Sequence, residues 1–240
     1  MLADFHNHSC LSPCASLAMS PRRIARDAAA SGIELLALTD HNSARNTPAF
    51  FIACREEGIT PRPGLEITTQ EECHVLALFD TPEAALGMDK WVWDALTPYH
   101  LDVEKFGDQP VVDVNENIID MIDILLTAST QHSFNEVQAE THNRGGLFIP
   151  AHINRPSFSV ESQLGFLPPG EYDAIEVLAP NARAYQQNYR DIPVITSSDA
   201  HVPEQIARAP FILPQLHTLT IRAIRKALRQ LCPAKQPPTS

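Results

Sequence analysis

Two histidines near the start of the chain have the spacing of a metal-binding pair. The sequence Asp4-Phe5-His6-Asn7-His8 separates the two imidazoles by one residue. In an extended chain, residues at positions i and i+2 point to the same side, so both rings could bind one ion. Taken alone the pair is a weak indication, because surface and core histidines often produce the same pattern.

Further imidazole and carboxylate side chains stand at the ends of other short apolar runs. Aspartate and histidine also occur at strand ends as turn and cap residues, which could explain one or two of these positions. A turn or cap role does not readily explain five strand ends that all offer ligands favoured by zinc, manganese and iron. We therefore predict a metal site formed by His6, His8, His41, Glu66, His74, His152, Asp199 and His201.

The elements that must position these residues alternate between apolar runs and helical patterns. Residues 2–5 predict a strand, Ser20-Pro21 predicts the start of a helix that ends at Gly32, and residues 34–38 predict the next strand. Such alternation is typical of parallel strands joined by crossover helices. In parallel α/β barrels the C-terminal strand ends form one rim, where side chains from distant positions converge.

The length of 240 residues suits one domain, which we assign to residues 1–232. Residues 81–143 break the alternation and contain a possible capping box, Ser133 with Glu136, so we interpret them as a helical insertion. Insertions after barrel strands lie on the active-site face, and we expect this one to form part of a pocket wall. Residues 233–240 predict a flexible tail.

The composition excludes some classes of protein. A net charge of −11 argues against nonspecific binding to a nucleic-acid backbone, which needs clustered lysine and arginine. No segment approaches the roughly 18 apolar residues of a membrane-spanning helix. An odd number of cysteines, five, without a signal-peptide pattern predicts a cytoplasmic protein. The oligomeric state is not predicted by the sequence.

In order and spacing the motifs resemble those of the PHP family of polymerase-associated and histidinol-phosphatase domains. The resemblance covers residues 4–201 and includes the segments HSCLSPC, LTDHN, PAHINRPSFS and ITSSDAH. It implies a distorted (β/α)7 TIM-like barrel with two or three divalent ions (Zn, Mn or Fe) at the strand ends. The family pattern implies one ion on His6, His8, Glu66 and Asp199, a second on Glu66, His74 and His152, and a third on His41 and His201.

The chain departs from the family pattern after the first histidine pair. Family members commonly have an aspartate there as a ligand of the third ion, whereas Ser16 stands at the matching position. Cys10 and Cys14 are possible substitutes, since thiolate binds zinc. Their spacing is not that of a CxxC motif, and we interpret both as residues that pack within the loop.

The chemistry implied is attack on a phosphate ester by metal-activated water. His201 or His41 could protonate the leaving alkoxide if the third ion is absent. Arg155 could bind a phosphate through its forked guanidinium, or be a simple surface charge. Asp40 is expected to orient His41 or a bound water. His100, His132, His142 and His217 fall outside the motifs.

The leading hypothesis is a phosphoesterase that acts on a small phosphorylated substrate or a nucleotide. One alternative is a metal-dependent amidohydrolase or carboxyl-ester hydrolase, since the same activated water attacks carbonyl carbon. Another is a non-catalytic PHP module of the kind attached to larger enzymes. A pocket with Arg155 directed at the metals would favour phosphate, and an apolar pocket without cationic residues would favour carbonyl chemistry.

Overall fold

The computed structural model describes residues 1–233. It contains strands β1 (Leu2–Asp4), β2 (Leu35–Leu38), β3 (Thr60–Thr68), β4 (His74–Leu78), β5 (Pro110–Val112), β6 (Ile118–Met121), β7 (Leu147–Pro150), β8 (Ile175–Glu176), β9 (Val194–Ile195) and β10 (Phe211–Ile212). The helices are α1 (Pro21–Ala30), α2 (Thr47–Glu56), α3 (Pro82–Ala95), α4 (Val103–Phe106), α5 (Phe134–Asn143), α6 (Val160–Leu164), α7 (Ala182–Asn188) and α8 (Ile221–Leu228). Short 3-10 helices span Ala179–Asn181, Pro203–Gln205 and Arg229–Leu231. The expected flexible tail lies outside the described residues, apart from Pro233.

The central sheet has six strands in the order β10-β1-β2-β3-β4-β7. Strands β1, β2 and β3 pair in parallel, whereas β10 pairs with β1, and β4 pairs with β3 and β7, in antiparallel fashion. Strands β8 and β9 form a separate parallel pair. The Ile153 N–H donates to the Glu176 carbonyl (2.9 Å), and the His8 N–H donates to the Ala200 carbonyl (3.0 Å). These bonds join the pair to both sides of the curled sheet.

The fold is therefore a mixed α/β structure with a curled sheet, and the expected closed (β/α)7 barrel is not shown by residues 1–233. The reason lies in the connection between β3 and β4. Only residues 69–73 separate the two strands, and a parallel pair needs a crossover of a dozen or more residues. The chain must instead turn back on itself, and β4 runs antiparallel.

Helix α1 begins and ends where the sequence predicts. The Ser20 hydroxyl accepts a hydrogen bond from the Arg23 N–H (3.1 Å), and Pro21 occupies the first turn. Gly32 follows the helix with φ of +78°, in the left-handed region that favours glycine. Ile24 is fully buried on the sheet side of the helix.

The segment 81–143 contains a β-hairpin as well as helices α3, α4 and α5. The capping box of Ser133 and Glu136 is confirmed at the start of α5. The acidic stretch after residue 112, expected to be helical, forms the turn between β5 and β6. There the Asp113 carboxylate accepts hydrogen bonds from the N–H groups of Asn115 (2.8 Å) and Asn117 (2.9 Å). Aspartate favours such turns over helix interiors, and β-branched residues flank this one.

The main apolar cluster lies inside the curled sheet, and helix α8 covers one end of it. Ile221, Ile224 and Leu228 of α8 are buried against inward-facing side chains of β1, β2, β4 and β7. Helices α1 and α2 cover one part of the outer face, and α3 and α5 cover another. No helix within residues 1–233 has the length and apolar character needed to cross a bilayer.

Asp173 ties α8 and α5 to the sheet and was not identified from the sequence. Its carboxylate accepts the Phe148 N–H (2.9 Å) and lies 3.1 Å from His142 Nε2. The Arg225 guanidinium also donates to it. Burial acts to raise the pKa of Asp173, but the bonds from His142, Arg225 and Phe148 outweigh burial, so the pKa lies below its usual value.

We predict that Asp173→Asn lowers the free energy of unfolding by about 1–3 kcal/mol at neutral pH, because charged hydrogen bonds to a buried carboxylate are lost. A depressed folded-state pKa stabilises the protein above the unfolded pKa, and this stabilisation is lost as pH falls through the folded pKa. The difference between the two proteins should therefore shrink in acid. Urea unfolding at several pH values measures it.

The matched control is Asp94→Asn, which removes an exposed partner of Lys90 and should change stability much less. Equal unfolding midpoints for wild type and Asp173→Asn at pH 7 would contradict the structural role of Asp173.

Candidate metal centre

The eight predicted ligands lie at one edge of the sheet. Histidines 6, 8, 41 and 152 follow β1, β2 and β7, and residues 199 and 201 follow β9. Glu66 lies within β3. His74 is the first residue of β4, and because β4 runs antiparallel to β3 it starts at the edge where the parallel strands end. The reversal that prevents an all-parallel sheet thus also brings His74 into the site.

Glu66 is the centre of the arrangement. It is 1% exposed, and its two carboxylate oxygens contact imidazole nitrogens from four different loops and strands. A carboxylate with two oxygens in this position can bridge two cations. The nearest nitrogen–oxygen distances are 2.9 Å to His74 Nδ1, 3.1 Å to His41 Nδ1, 3.1 Å to His152 Nε2, and 3.3 Å to both His6 Nε2 and His8 Nε2.

Asp199 forms the opposite wall. Its Oδ1 lies 3.3 Å from His6 Nε2, 3.3 Å from His8 Nε2 and 3.6 Å from His201 Nδ1. Its Oδ2 lies 3.3 Å from Arg155 Nη1. Asp199 therefore offers one oxygen to the histidines while the other is held by a cationic side chain.

Two of the predicted ligands have backbone conformations that are unfavourable for residues other than glycine. His152 has φ of +29° and Asp199 has φ of +47°. Non-glycine residues with positive φ are uncommon and concentrate where the surrounding structure enforces a functional geometry. Both side chains point into the centre, so the strain coincides with the positioning of ligand atoms.

Several ligand atoms are buried without a hydrogen-bond partner. These include Nδ1 of His41, Nδ1 of His74 and Oδ1 of Asp199. The two nitrogens are close to Glu66, but not in the alignment of a hydrogen bond. Buried polar atoms without partners are costly, and a cation would satisfy these. Four sets of side chains each bring three or more possible metal-ligand atoms within 4.8 Å of one another, and we call these sets donor groups. They are His6 with Glu66 and His152; His6 with His8 and Asp199; His41 with Glu66 and His74; and His8 with Cys14, His41 and His201.

The residues therefore fit divalent cations with nitrogen and oxygen ligands. All eight predicted ligands occur in these groups, and Glu66 is shared by two of them. The grouping differs from the family pattern, most clearly in the histidines that share Glu66. His152 shares Glu66 with His6, whereas His74 shares it with His41. The number and identity of the ions remain predictions.

The electrostatics also fit a cation. Burial would raise the pKa of Glu66, but His74, His6 and His41 outweigh it and hold the pKa well below its usual value. Burial likewise disfavours charge on His6, yet Glu66 and neighbouring carboxylates raise its pKa well above the usual value. The pKa of His8 is raised to about 9 for a similar reason, against the effect of burial. The centre is thus a buried concentration of negative charge that stabilises positive charge.

The pKa values of three other histidines, His41, His74 and His201, shift in the opposite direction. Burial is the main cause that lowers the pKa of His41 well below its usual value and the pKa of His74 below it. Burial and the neighbouring His8 lower the pKa of His201 to about 4. A lowered pKa favours the neutral ring, which is the form in which imidazole binds a metal ion.

Glu176 is a buried carboxylate that sequence reasoning missed. It is 2% exposed in β8, and its oxygens lie 3.1 and 3.2 Å from His6 Nδ1. Its Oε1 also accepts the His152 N–H (3.3 Å). A carboxylate on Nδ1 fixes the proton there and leaves the Nε2 lone pair free for a cation. In the sequence, Glu176 is a single acidic residue within the apolar run of residues 174–178, and this could have indicated a buried functional carboxylate.

Asp40 is placed differently from expectation. Its carboxylate accepts hydrogen bonds from the Ser9 N–H (2.7 Å), the Ser9 hydroxyl (2.6 Å) and the Ser12 hydroxyl (2.7 Å). It forms no hydrogen bond with the His41 ring and does not line the cavity. Because Ser12 gives its only proton to Asp40, it accepts from His8 Nδ1 (3.0 Å) and from the His41 N–H (3.1 Å). Asp40 therefore positions His8 through Ser12.

Asp4 anchors the loop that contains Asp199. Its carboxylate accepts the N–H (3.0 Å) and the hydroxyl of Ser198. Burial is the main cause that raises the pKa of Asp4, and the bonds from Ser198 reduce that rise. The next residue in the chain, Asp199, is held at the cluster in this way.

A cavity of about 370 Å³ opens above the cluster. His41 and His74 form part of its floor, and Arg155 forms part of its wall. Lys105 and Phe106 of α4 also line it, which confirms that the 81–143 segment contributes to the pocket wall. Lys105 was not identified from the sequence because its position follows only from the docking of α4.

The remaining histidines have other partners. His142 contacts Asp173, and His132 stacks on Trp91 with ring centroids 3.5 Å apart. His100 Nδ1 lies 3.0 Å from the Asp123 carbonyl. Together with His217, these residues are absent from the four donor groups found among residues 1–233.

The cysteines near the first histidine pair differ from each other. Cys10 is buried and contacts the Asn46 amide, in agreement with packing in the loop. Cys14 is exposed and lines the cavity, so the loop-packing interpretation is wrong for this residue. The Ser16 hydroxyl accepts the Ala18 N–H (3.2 Å). No feature of the sequence distinguishes the two cysteines, because the difference depends on how the loop turns.

Comparison with known proteins assigns this architecture. The family model described as PHP domain matches residues 4–192. A search of curated protein sequences finds no match.

Solved structures share the fold at low sequence identity. The lesion-specific endonuclease EndoQ of Pyrococcus furiosus matches with a TM-score of 0.70 and 19% identity over 96% of this chain, which spans only 56% of that protein. A protein of Bifidobacterium adolescentis described as a metal-dependent phosphoesterase matches with a TM-score of 0.58 and 18% identity, covering 94% of this chain and 95% of that one. An amidohydrolase of Chromobacterium violaceum with bound sulfate matches with a TM-score of 0.61 and 18% identity, covering 94% and 96%.

We predict that Glu66→Gln removes most bound metal, because it deletes the charge shared by two donor groups. Metal content after dialysis against zinc or manganese, measured by mass spectrometry, checks this. Glu57→Gln on the exposed end of α2 is the matched control and should bind metal like the wild type. Retention of the wild-type metal content by Glu66→Gln would exclude Glu66 as a ligand.

For Glu176→Ala we expect metal affinity to fall about 10- to 100-fold with all ligands still present, since residues that orient ligands have effects of this size. Competition with a fluorescent chelator measures the affinity. Glu161→Ala is a control, as this glutamate lies in α6 outside the donor groups. Unchanged affinity in Glu176→Ala would show that His6 needs no such support.

Proposed function

The chain belongs to the PHP family, and on that premise we propose that it is a metal-dependent hydrolase that cleaves small phosphate esters or nucleotides. The observation that supports this most is the convergence of eight imidazole and carboxylate side chains, Glu66 among them, at the floor of a cavity lined by Arg155 and Lys105. Cationic side chains beside a metal centre suit an anionic substrate better than a neutral one.

The proposed ligands are His6, His8, His41, Glu66, His74, His152, Asp199 and His201, and the proposed cofactors are two or three ions of zinc, manganese or iron. Bound there, divalent cations would make water a nucleophile at neutral pH and neutralise charge on phosphoryl oxygens. The protein's own contribution is to hold the ligands in place through buried carboxylates, and to bind and orient the substrate.

Arg155 is the proposed substrate-binding residue. One of its nitrogens is paired with Asp199, and its side chain is 40% exposed at the cavity. A guanidinium has five N–H donors in a planar fork, so contact with Asp199 leaves others for a phosphate. The ion pair also fixes the fork beside the metal ligands, which aligns a bound phosphate with the centre.

Lys105 is a second cationic group that lines the cavity. It lies on α4, so the 81–143 segment would contribute charge to substrate binding. Phe106 and Phe158 give the same cavity an apolar surface, on which the non-phosphate part of a substrate could lie. A small ester or nucleotide has both kinds of group.

His41 and His201 remain candidates for two roles, as ligands of a third ion or as the proton donor to the leaving oxygen. We favour the ligand role because both rings occur in a donor group together. Asp40 is proposed as a positioning residue, since it acts on His8 through Ser12.

Carbonyl hydrolysis is the second candidate. The apolar part of the cavity and the similarity in fold to an amidohydrolase favour it. A non-catalytic module is the third, and would show metal binding without turnover. The net charge of −11 supports a small substrate rather than nonspecific nucleic-acid binding. The endonuclease EndoQ is a neighbour in fold, but this chain spans only 56% of its length. A cytoplasmic location is also a proposal.

The test is hydrolysis by protein loaded with zinc, manganese or iron, using phosphomonoesters, phosphodiesters, nucleotides, carboxyl esters, amides and abasic-site DNA. We expect metal-dependent release of phosphate or alcohol from small phosphate esters. Turnover confined to carbonyl substrates would select the second candidate, and turnover confined to DNA would contradict a small substrate.

On the best phosphate substrate, Arg155→Ala should lower kcat/KM about 10- to 100-fold, equivalent to about 1.4–2.8 kcal/mol, because a charged phosphate contact is lost. Arg26→Ala, at an exposed arginine of α1, is the matched control and should leave kcat/KM unchanged. A kcat/KM of Arg155→Ala equal to that of the wild type would remove Arg155 from substrate binding.

A further inference from the structure

Cys14 lies beside three histidines at the mouth of the metal centre. One donor atom from each of Cys14, His8, His41 and His201 falls within 4.8 Å of the others. We propose that the Cys14 thiolate is a ligand of a third metal ion, together with His41 and His201. It would fill the position for which the family pattern provides an aspartate.

The histidines indicate a ligand independently of the cysteine. His41 is 5% exposed, and its Nδ1 lies 3.1 Å from Glu66 Oε2, so the other ring nitrogen, Nε2, would bind the third ion. The His8 ring lies between the other two, with centroids 4.7 Å from His41 and 4.3 Å from His201. Three imidazoles packed this closely offer nitrogen ligands that one cation can share.

The protonation pattern leaves the required lone pair on His201. Its Nδ1 lies 2.8 Å from the Asp199 carbonyl oxygen, which can only accept, so the ring proton is on Nδ1. Nε2 is then free to bind a metal. His8 also has its proton on Nδ1, but its one free lone pair faces Glu66 and Asp199. We therefore assign His8 to the neighbouring ion, which leaves Cys14, His41 and His201 for the third.

The loop that contains Cys14 is bound to both of its partner ligands. Two residues before it, the Ser12 hydroxyl accepts the His41 N–H (3.1 Å). Two residues after it, the Ser16 N–H donates to the His201 carbonyl (2.8 Å). Cys14 is thus held between the two segments with which it would share an ion. A residue that only packs within a loop would not need bonds to both segments.

The chemistry of the thiol sets the metal that this position prefers. Binding forms a sulfur–metal bond, the thiol proton leaves to solvent, and no electrons are transferred. Thiolate is a softer ligand than carboxylate and favours zinc over manganese. Two imidazoles and one thiolate leave a coordination position open, as in catalytic zinc sites. The third site of this chain should therefore select zinc, whereas an aspartate there would accept manganese as well.

This inference rests on the proposed metal centre but not on the proposed reaction, so binding is measured instead of turnover. In the cobalt(II)-loaded protein we expect a near-ultraviolet sulfur-to-cobalt charge-transfer band. Cys14→Ser should lose the band and bind one ion fewer, and Cys14→Asp should restore the ion without the band. Cys232→Ser, at a partly exposed cysteine in the C-terminal segment, is the matched control and should keep both.

Thiol alkylation gives a second readout. With zinc at ten or more times its dissociation constant, modification of Cys14 by N-ethylmaleimide should slow about tenfold or more, while that of Cys232 is unchanged. Cobalt binding without the band, a band that survives in Cys14→Ser, or equal alkylation rates with and without zinc would overturn the assignment of Cys14 while the rest of the centre stands. Absence of any bound metal would overturn both proposals.

Discussion

Glu66 is a carboxylate buried among five imidazole rings, and the arrangement of the strand ends around it accommodates its charge. Removing an ionised carboxylate from water is costly unless opposite charge and hydrogen-bond donors surround it. The chain meets this requirement by ending several strands at one edge and by placing a histidine at each. Arg155, the nearby cationic side chain, contacts Asp199 and not Glu66. Positive charge at the centre therefore comes from protonated imidazole or from a metal ion.

Further buried carboxylates hold the ligands in place. Glu176 contacts His6, Asp40 supports His8 through Ser12, and Asp4 fixes the Ser198 loop beside Asp199. Glu176 acts on its ligand directly, whereas Asp40 and Asp4 act through a serine, and they set the side on which a ring proton lies or the direction of a loop. Fixed rotamers and tautomers of this kind keep a centre organised before a cation binds, and lower the entropic cost of binding.

The ligand positions could be predicted because each follows a short apolar run, and strand ends in α/β folds meet at one edge. Strand direction could not be predicted in the same way. Periodicity is the same for parallel and antiparallel strands, and only the short link between β3 and β4 indicated the reversal that places His74. The hairpin within residues 81–143 was missed because the whole segment was interpreted as a helical insertion. Glu176 and Cys14 were missed because their roles depend on contacts between loops distant in sequence.

If the cluster around Glu66 binds divalent cations as a group, anomalous X-ray diffraction from zinc-soaked crystals should locate them. We expect two or three anomalous peaks within bonding distance of the imidazole and carboxylate atoms of the eight predicted ligands, with Glu66 bound to two of the ions. Zinc that occupies only surface histidines such as His100, with no peak beside Glu66, would contradict this expectation.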